Sequence, residues 1–476
     1  MAASLRGANL AGAEWAYEAG LAPVEGQHYQ WVSQQDIDYL AARGVPFARL
    51  LFSWEILQPA LGAGFAPAYA ASLRDRVLYA AGKGMAVMIE PHGGEFTRFA
   101  RYKGQPVGSA AVPNSAFADL WRRLAQRFMA DPDVVFGLMN EPNAMSTLQW
   151  FGAAQAAIDA IRASGAVHLI LVPGNGFSQP SSWHDAWYDT APAPKVSNTA
   201  GWATLHDPLG RTAVSVHTYF DADGGGGGDD IAAPDIIGQR LQPVVDWARP
   251  RGLKVHLSEF GANAATPGAE QAVQNALAYI DANADVMLGW AWWAYGPPDG
   301  WGGYHFTLCP SDDYTVDDPK LAWLQPHFAA EPPAAPPMRP TAKAGTAPAD
   351  RSWTATKTVA PGDHPGVPAG AYTLKVATRT TFSDADTFCV ILVLENPSAG
   401  IDVDWQQMAV DLHGHALQSS WNVAVDGTTA QVTLTPVAQA KTVVARGKTS
   451  FGLCLRRDTA SASKGKLQVQ VKSLQW

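Results

Sequence analysis

Residues 134–143 read VVFGLMNEPN and residues 254–262 read KVHLSEFGA. Each stretch is a short apolar run that ends in a glutamate beside turn-forming residues: Glu141 precedes Pro142, and Glu259 lies two residues before Gly261. A charge at the end of a buried strand costs free energy unless it has a partner or a task there. Two glutamates in this setting predict a working pair of carboxylates.

Apolar, β-branched runs of this kind recur along the first part of the chain, with helix-like stretches between them. The eight runs lie at residues 5–10, 46–52, 86–90, 134–139, 168–172, 213–216, 254–258 and 286–290. Near-continuous apolar strands that alternate with helical segments favour a parallel sheet buried on both faces. Eight such units over about 330 residues predict an α/β fold, the (β/α)8 or TIM barrel.

Reactive side chains of a TIM barrel lie at the carboxyl ends of its strands. The predicted strands end in polar or aromatic residues: Asn9, Arg49, His92, Asn140, Glu141, Asn175, His217, Tyr219, Glu259, Trp292 and Trp293. One glutamate or histidine in such a place is usually a solvated or structural group, whereas the coincidence of so many favours an active site. The sequence has no His-Glu-x-x-His or paired Cys/His spacing, so we expect neither a metal nor another cofactor.

The strand-end motifs resemble those of glycoside hydrolase family 5, most closely the endoglucanases of its subfamily 5. The matching segments are RGANLAGAE (6–14), FARLLFSWE (47–55), GLMNEP (137–142), VPGN (172–175), SVHTY (215–219), LSEFG (257–261) and GWAWWAYG (289–296). The resemblance covers residues 5 to about 328. It implies a retaining endo-β-1,4-glucanase acting on cellulose or soluble β-glucan. A β-mannanase or xyloglucanase on the same barrel, and a glucan-binding protein without turnover, are the alternatives.

The same resemblance implies a role for each matching residue. Glu141 would be the acid/base and Glu259 the nucleophile. Arg49 would hold the nucleophile, and Asn140 would bind the sugar 2-hydroxyl. The cleft near the scissile bond would be lined by His92, His217 and Tyr219, with Trp293 as the sugar platform and Trp290 and Trp292 as its rivals.

The third strand departs from the family pattern. It ends in the sequence EPHGG at residues 90–94, where the family has an Asp-x-His-Asn-Tyr type of sequence. The histidine is kept, and the Asn-Tyr pair that would contact sugar is missing.

Tryptophan is abundant, at 18 of 476 residues. The flat CH faces of sugars pack well on indole rings, although core packing is the alternative for any single tryptophan. By position, we expect Trp54, just beyond the second strand, and Trp183, in the loop after the fifth, to contact substrate. Further candidates are Trp31, Trp150, Trp187, Trp202 and Trp301.

Five consecutive glycines, residues 224–228, follow the sixth predicted strand. A glycine run at the functional face of the barrel indicates either a mobile edge of the cleft or a neutral expansion of the loop. Asp221 and Asp223 precede the run; they are either substrate contacts or solvated loop residues.

The composition changes after Phe328. Residues 331–350 read EPPAAPPMRPTAKAGTAPAD, which predicts an extended linker between a catalytic domain at 1–330 and a second domain at 351–476. Short alternating runs predict that the second domain is a β-sandwich. These runs lie at 370–379, 386–395, 407–412, 422–425, 430–435, 450–456 and 466–471.

The second domain resembles, more loosely, a family 2 cellulose-binding module. The matching stretches are LEN (394–396), IDVDW (401–405), SSWN (419–422) and GKTSFG (447–452). The resemblance implies that Trp421 contacts sugar, with Trp353 standing in for a second aromatic. A further aromatic expected within 435–447 is absent, so a purely structural domain is the alternative. Trp405 is expected in the core.

Charge and cysteine content limit the partners and the compartment. Lys plus Arg number 34 against 43 Asp plus Glu, and this net charge of −9 disfavours nucleic acid and anionic membranes. Nothing in the sequence indicates more than a monomer. Cellulose lies outside cells, so we expect a secreted protein whose signal peptide has been removed; a cytoplasmic protein is the alternative.

Cys389 and Cys454 could pair, which would leave Cys309 free.

Overall fold

The computed structural model describes residues 5–14, 23–93, 99–131, 133–328, 351–359, 370–383, 387–396, 403–412, 416–421, 423–427, 431–436, 442–443, 448–456 and 470–475. The chain divides into two compact units, one made of Met1–Ala160 and His168–Pro337 and one that contains Met338–Trp476. The linker predicted at 331–350 lies outside the described residues, and its boundaries remain a prediction.

Eight parallel strands of the first unit close into a barrel, as the sequence predicts. They are β1 (Leu5–Leu10), β2 (Phe47–Phe52), β3 (Ala86–Pro91), β4 (Val135–Gly137), β5 (Ile170–Pro173), β6 (Thr212–His217), β7 (Val255–Phe260) and β8 (Met287–Tyr295). Neighbouring strands pair in the order β1-β8-β7-β6-β5-β4-β3-β2, and β1 also pairs with β2. Every residue of β1, β2, β3 and β7 is buried, which is why these strands read as largely apolar runs.

Ten α-helices of the described residues accompany the strands of this unit. They are α1 (Gln34–Ala42), α2 (Trp54–Leu57), α3 (Pro67–Gly82), α4 (Asn114–Arg127), α5 (Thr147–Ala163), α6 (Asn198–Trp202), α7 (Ile236–Ala248), α8 (Ala269–Ala282), α9 (Pro298–Trp301) and α10 (Pro319–Phe328). A small hairpin joins Arg101–Tyr102 to Gln105–Pro106, and 3-10 turns lie at Pro180–Ser182 and Arg249–Arg251. No helix in this part of the chain is both long and apolar enough to cross a membrane.

Apolar side chains from seven of the eight strands fill the barrel. The cluster is made of Leu5, Phe47, Ala86, Met88, Val135, Leu171, Ala213, Leu288 and Ala291. Layers of branched and aromatic side chains of this kind make the interior of a TIM barrel a packed core. The core therefore fixes the strand positions, and the strand ends are left to carry polar groups.

The last barrel strand differs from its prediction. β8 continues to Tyr295, five residues beyond the run at 286–290, because it stays paired with β1 through Leu10 and Tyr295. Trp292 and Trp293 are therefore strand residues and not loop residues, and their side chains alternate between the two faces of the barrel wall.

The second unit is all β. Its strands are β9 (Arg351–Val359), β10 (Gly370–Ser383), β11 (Thr387–Glu395), β12 (Val403–Asp404), β13 (Gln407–Asp411), β14 (Ala416–Trp421), β15 (Val423–Asp426), β16 (Gln431–Pro436), β17 (Thr442–Val443), β18 (Lys448–Arg456) and β19 (Gln470–Gln475). They form a five-stranded sheet in the order β9-β10-β11-β18-β14, a four-stranded sheet in the order β15-β16-β13-β19, and the pair β12-β17.

One hydrophobic core serves both larger sheets of this unit. Leu392 and Leu453 from the five-stranded sheet and Val410 and Leu434 from the four-stranded sheet are buried in the same cluster. Trp405 lies in this core, as expected. Two sheets that share one core form a sandwich.

Strand register places the two predicted sugar-binding tryptophans of this unit on opposite faces. Trp353 in β9 pairs with Val376, a core residue, whereas Trp421 in β14 pairs with Gly452, which pairs in turn with Ile391. Residues directly opposite each other in a sheet lie on the same face, and the faces alternate along each strand. Val376 pairs with Leu394 of β11, and position 391 lies three residues before position 394, so the two positions lie on opposite faces. The side chains of Trp353 and Trp421 lie outside the described part of the structure.

Cysteine positions follow the same ladder. Cys389 and Cys454 are direct partners in the register of β11 and β18, and whether they are bonded remains a prediction. Cys309, in the barrel unit, is buried and free.

Candidate active site

Arg49, at the centre of the site, is fully buried in the middle of β2. Its Nη1 donates to Oδ1 of Asn9 at 2.5 Å and to Oε1 of Glu259 at 2.6 Å. Its Nη2 donates to Glu90 and, at 2.7 Å, to Oδ1 of Asn140. Burial works against the charge of this guanidinium, but the carboxylates of Glu90 and Glu259 raise the pKa of Arg49. One cation thus ties together the ends of β1, β2, β3, β4 and β7.

The surroundings of Arg49 explain the asparagine at position 9 and the glycine at position 137. The amide Nδ2 of Asn9 donates to the carbonyl oxygens of Ser258 and Trp292, each at 3.0 Å, so β1 is fastened to β7 and β8. Gly137 in β4 leaves room for the Glu90 side chain, because a Cβ at that position would lie 1.9 Å from Oε2 of Glu90.

The two glutamates of the opening motifs meet in the same cleft. Glu141 follows β4 with a left-handed backbone (φ 39°), and Glu259 lies near the end of β7. A carboxylate oxygen of each, together with a ring nitrogen of His217, lies within 4.8 Å of the others. Nδ1 of His217 is 2.8 Å from Oε1 of Glu141 and 3.5 Å from Oε2 of Glu259. The hydroxyl of Tyr219 donates to Oε2 of Glu259 at 3.0 Å.

Different surroundings separate the two carboxyls. Burial raises the pKa of Glu141 well above its usual range, and the negative charge of Glu259 adds to this effect. Burial also raises the pKa of Glu259, but the charge of Arg49 and the hydrogen bonds from Arg49 and Tyr219 favour its ionised form. The pair is therefore set up with a proton on Glu141 and a negative charge on Glu259.

The two histidines of the cleft are neutral. Burial, with the charge of Arg49, lowers the pKa of His92 and of His217 well below the usual range. Nε2 of His92 lies 3.9 Å from Oε1 of Glu259. His92 directly follows β3 and His217 is the last residue of β6, so both lie at strand ends as the sequence predicts.

Asn140 presents an amide donor that nothing in the described residues satisfies. Its Oδ1 accepts a hydrogen bond from Arg49, whereas its buried Nδ2 has no hydrogen-bond partner among the described residues. Buried donors are normally paired, and an unpaired one at a reactive centre is suited to a ligand.

The carboxylates open onto a cleft of about 590 Å³ at the carboxyl ends of the strands. Trp293 is half-buried and lines it. The indole stacks on the ring of His92, with centroids 5.5 Å apart and an interplanar angle of 15°, and meets Trp301 edge-on at 6.2 Å. Trp301, one of the further candidates, also lines the cleft.

Two of the tryptophans named from the sequence, Trp54 and Trp183, are not available to a ligand. Trp54 is 1% exposed, packs on Tyr102 and Phe117, and belongs to the core. Trp183 is 0% exposed and packs on Trp202 and Trp247. The expectation that Trp54 and Trp183 contact substrate is therefore wrong, because position after a strand does not reveal which way a large apolar side chain packs. Two rivals of Trp293, Trp290 and Trp292, are also fully buried.

Sequence reasoning missed two acidic residues of the site. Glu90 was noted only as part of a departure from the family pattern, although its place at the end of β3 was the signal that it belongs to the site. Glu14 lines the cleft and is 2% exposed. It lies in a matched motif, but its position beyond the end of β1 gave no sign of a buried carboxyl.

One group of acidic and histidine side chains among the described residues has donor atoms close enough to consider a metal ion: Glu141, His217 and Glu259. Arg49 already supplies a positive charge 2.6 Å from Glu259. This cation accounts for part of the negative charge that the group gathers.

A TIM barrel that holds one protonated and one ionised carboxyl group together at the C-terminal ends of its strands has the arrangement of a glycoside hydrolase. Residues 8–296 match the family described as cellulase, glycosyl hydrolase family 5, and the chain belongs to that family. The resemblance of the first part of the chain to glycoside hydrolase family 5 and the predicted barrel are both confirmed.

Relatives of known structure or activity support the same assignment. The chain is 32% identical over 324 residues to endo-beta-1,4-glucanase A of Emericella nidulans, which covers 68% of this chain and 91% of that protein. It is similar to the crystal structure of endo-beta-1,4-glucanase Xac0029 from Xanthomonas axonopodis pv. citri, with 36% identity and a TM-score of 0.62 over 68% of this chain and 98% of that one. XacCel5A, solved in complex with cellopentaose, is 34% identical with a TM-score of 0.62 over 69% and 100%.

Proposed function

We propose that this protein is a retaining endo-β-1,4-glucanase, with Glu141 as acid/base and Glu259 as nucleophile. The spacing of the two carboxylates carries the proposal, because their oxygens approach within 4.8 Å. Retaining glycosidases hold their carboxyls about 5–5.5 Å apart, whereas inverting enzymes leave about 6.5–9.5 Å for a water molecule.

In the first step, Glu259 attacks the anomeric carbon while Glu141 gives its proton to the leaving glycosidic oxygen. Arg49 and Tyr219 hold the attacking carboxylate ionised and aimed until the bond forms. Loss of the negative charge of Glu259 then removes a cause that raises the pKa of Glu141. Glu141 can therefore accept a proton from water in the second step, which releases the sugar with its original configuration.

Substrate is held beside this pair by groups with free bonding capacity. The Nδ2 donor of Asn140 is suited to the sugar 2-hydroxyl, a contact that strengthens at the oxocarbenium-like transition state. Trp293 offers its indole face in the cleft as a platform for the sugar at the cleavage point. His92 and His217, being neutral, are suited to hydrogen-bonding sugar hydroxyls without adding charge.

A neutral β-1,4-glucan is the proposed substrate. The relative from Emericella nidulans is named for hydrolysis of β-1,4-glucan, and XacCel5A binds cellopentaose. The net charge of −9 is consistent with a neutral polymer and with no nucleic acid or membrane partner. Since cellulose lies outside cells, we also propose that the protein is secreted, and that it acts as a monomer.

Hydrolysis of carboxymethyl-cellulose tests the function. We expect the parent to release reducing ends, and Glu141→Gln and Glu259→Gln to lose about a thousandfold or more of this activity. Glu270→Gln is the matched control, because Glu270 is exposed on α8. Faster turnover of mannan or xyloglucan would move the specificity to those polymers. Binding without cleavage of any of the three would overturn the hydrolase assignment.

Aryl cellobiosides separate the two roles. With a dinitrophenyl leaving group, which departs without a proton, Glu141→Gln is expected to form the glycosyl-enzyme at close to the parent rate and then to stall. Glu259→Gln is expected to fail with every leaving group. The reverse pattern would exchange the roles of the two glutamates.

A further inference from the structure

The five-glycine run after β6 is anchored in the structure. Both carboxylate oxygens of Asp221, a buried residue, accept backbone N–H bonds, from Gly226 and Gly228, each at 3.1 Å. Arg240 on α7 donates to the carbonyl oxygens of Tyr219 and Asp221. These bonds oppose a mobile cleft edge, which was one of the two expectations from the sequence, and they make Asp221 a support for the loop.

Gly226 lies against one face of the Tyr219 ring. A Cβ at Gly226 would be 2.8 Å from Cγ and Cδ1 of that ring, closer than real Cβ atoms approach, and the backbone φ of +75° suits glycine. Phe306 stacks on the ring with centroids 5.9 Å apart and an interplanar angle of 22°. The phenol is thus confined where its hydroxyl meets Glu259.

We propose that Gly226 is a positioning residue for hydrolysis: it sets the Tyr219 ring so that its hydroxyl donates to the Glu259 carboxylate. Gly226 acts through Tyr219 and is a positioning residue. The inference rests on the proposed role of Glu259 as nucleophile. It explains the glycine at position 226, since any side chain there would move the ring.

The bond from Tyr219 is one of several influences on Glu259. The titratable and charged groups that face Glu259 are Glu14, Arg49, Glu90, His92, Glu141, His217, Tyr219 and Tyr304. Only Arg49 and Tyr219 among these described groups donate a hydrogen bond to its carboxylate. Loss of the phenol bond while the rest stay in place should raise the pKa of Glu259.

Alanine substitution at two adjacent glycines tests the proposal. Gly226→Ala is expected to lower kcat/KM about tenfold and to shift the acidic limb of its pH profile upward by about half to one unit. Gly227→Ala is the matched control, because a Cβ there meets nothing within 4 Å. We expect this control to keep the parent profile. Equal profiles for the two variants would overturn the proposal.

A double-mutant cycle identifies the route of the effect. Tyr219→Phe should reproduce the pH shift, and Gly226→Ala added to Tyr219→Phe should cost little more, because the bond is already gone. Additive losses would show that Gly226 acts by another route. If Gly226→Ala does not fold, Asp221→Ala removes the anchor of the loop without a clash, and the same shift is expected; a parent profile would contradict the proposal.

A titration that needs no turnover distinguishes this inference from the proposed function. Carbon-13 NMR of the labelled Glu259 carboxyl reports its pKa in the free protein. We expect a higher value in Gly226→Ala than in Gly227→Ala even if the protein hydrolyses no glucan. The same value in both would refute the positioning role, while failure of the glutamine variants to lose activity would refute the function alone.

Discussion

Glu14 lies in the cleft wall with its carboxyl buried, and Oε2 accepts the N–H of Gly12 at 2.7 Å. Burial raises the pKa of Glu14 to about 7, against the lowering effects of backbone hydrogen bonds and Arg49. The native state therefore holds a proton on Glu14 that an unfolded chain releases near pH 4.5. Stability from this residue is full below pH 4.5 and is lost as the pH rises towards 7.

Glu14→Gln is expected to remove this pH dependence, because an amide oxygen can still accept the bond from Gly12. The Tm of the variant should rise relative to the parent between pH 4.5 and pH 7.5, by the equivalent of about 3 kcal/mol at most. Thermal unfolding at three pH values measures it. A Tm difference that is constant with pH would contradict the assigned cause.

Substitutions of two tryptophans distinguish a role in sugar binding from a role in core packing. Trp293→Ala is expected to raise KM for cellopentaose about tenfold or more, because the sugar loses its platform, while Tm changes little. Trp183→Phe is expected to lower Tm and leave KM unchanged, since its ring is wholly inside the protein. Steady-state kinetics and thermal unfolding of both variants check the contrast, and the opposite pattern would return Trp183 to the cleft.

Residue types at strand ends could be predicted from sequence, but the direction of their side chains could not. Arg49, Asn140 and Glu259 were found because a polar group after an apolar run is costly without a partner. Trp54 and Trp183 were misplaced because burying a tryptophan and presenting it to a sugar are equally compatible with its position. Glu90 joins the site through its contact with Arg49, which is 41 residues away in sequence.

At the scale of elements, a single aspartate joins α1 to the end of β8. Oδ2 of Asp36 accepts the N–H of Ser33 at 2.6 Å and completes the capping box of α1, while Oδ1 accepts the hydroxyls of Tyr295 and Tyr314. Asp36 is buried, so each of these bonds is made to a charged acceptor away from water.

Asp36→Ala is expected to destabilise the fold by about 3 kcal/mol, the cost of the lost cap and of two unpaired phenols. Asp38→Ala on the same helix is the control; it removes an exposed pair with Lys83 and is expected to leave the stability close to that of the parent. Denaturant unfolding gives both values. Equal costs would mean that the helix is held by other contacts.

All eight barrel strands could be predicted because both faces of each strand are buried and the apolar runs are long. Strands of the second unit were harder to find. β9 reads RSWTATKTV and β14 reads ALQSSW, with few apolar residues on either face. Such strands form because a neighbouring strand supplies hydrogen bonds, and the local sequence does not predict that pairing.

At the scale of the whole molecule, removal of residues 338–476 tests the division into domains. Because the described site lies wholly in the first unit, the truncated protein is expected to keep kcat/KM on carboxymethyl-cellulose within about twofold. Loss of folding or of activity on this soluble substrate would contradict the predicted independence of the barrel.

Adsorption to insoluble cellulose tests the second unit in the same pair of proteins. If Trp421 contacts sugar, the intact protein should adsorb more strongly than the truncated one, and Trp421→Ala should remove the difference. Equal adsorption of intact and truncated proteins would leave the second unit with a structural role.

The most direct test of the account is the configuration of the first product. Proton NMR during hydrolysis of cellopentaose distinguishes the two anomers of the newly released sugar before they equilibrate. Carboxylates as close as those of Glu141 and Glu259 predict that the β-anomer appears first and that the α-anomer grows only by mutarotation. An α-anomer at the earliest times would show inversion and would contradict the two-step mechanism.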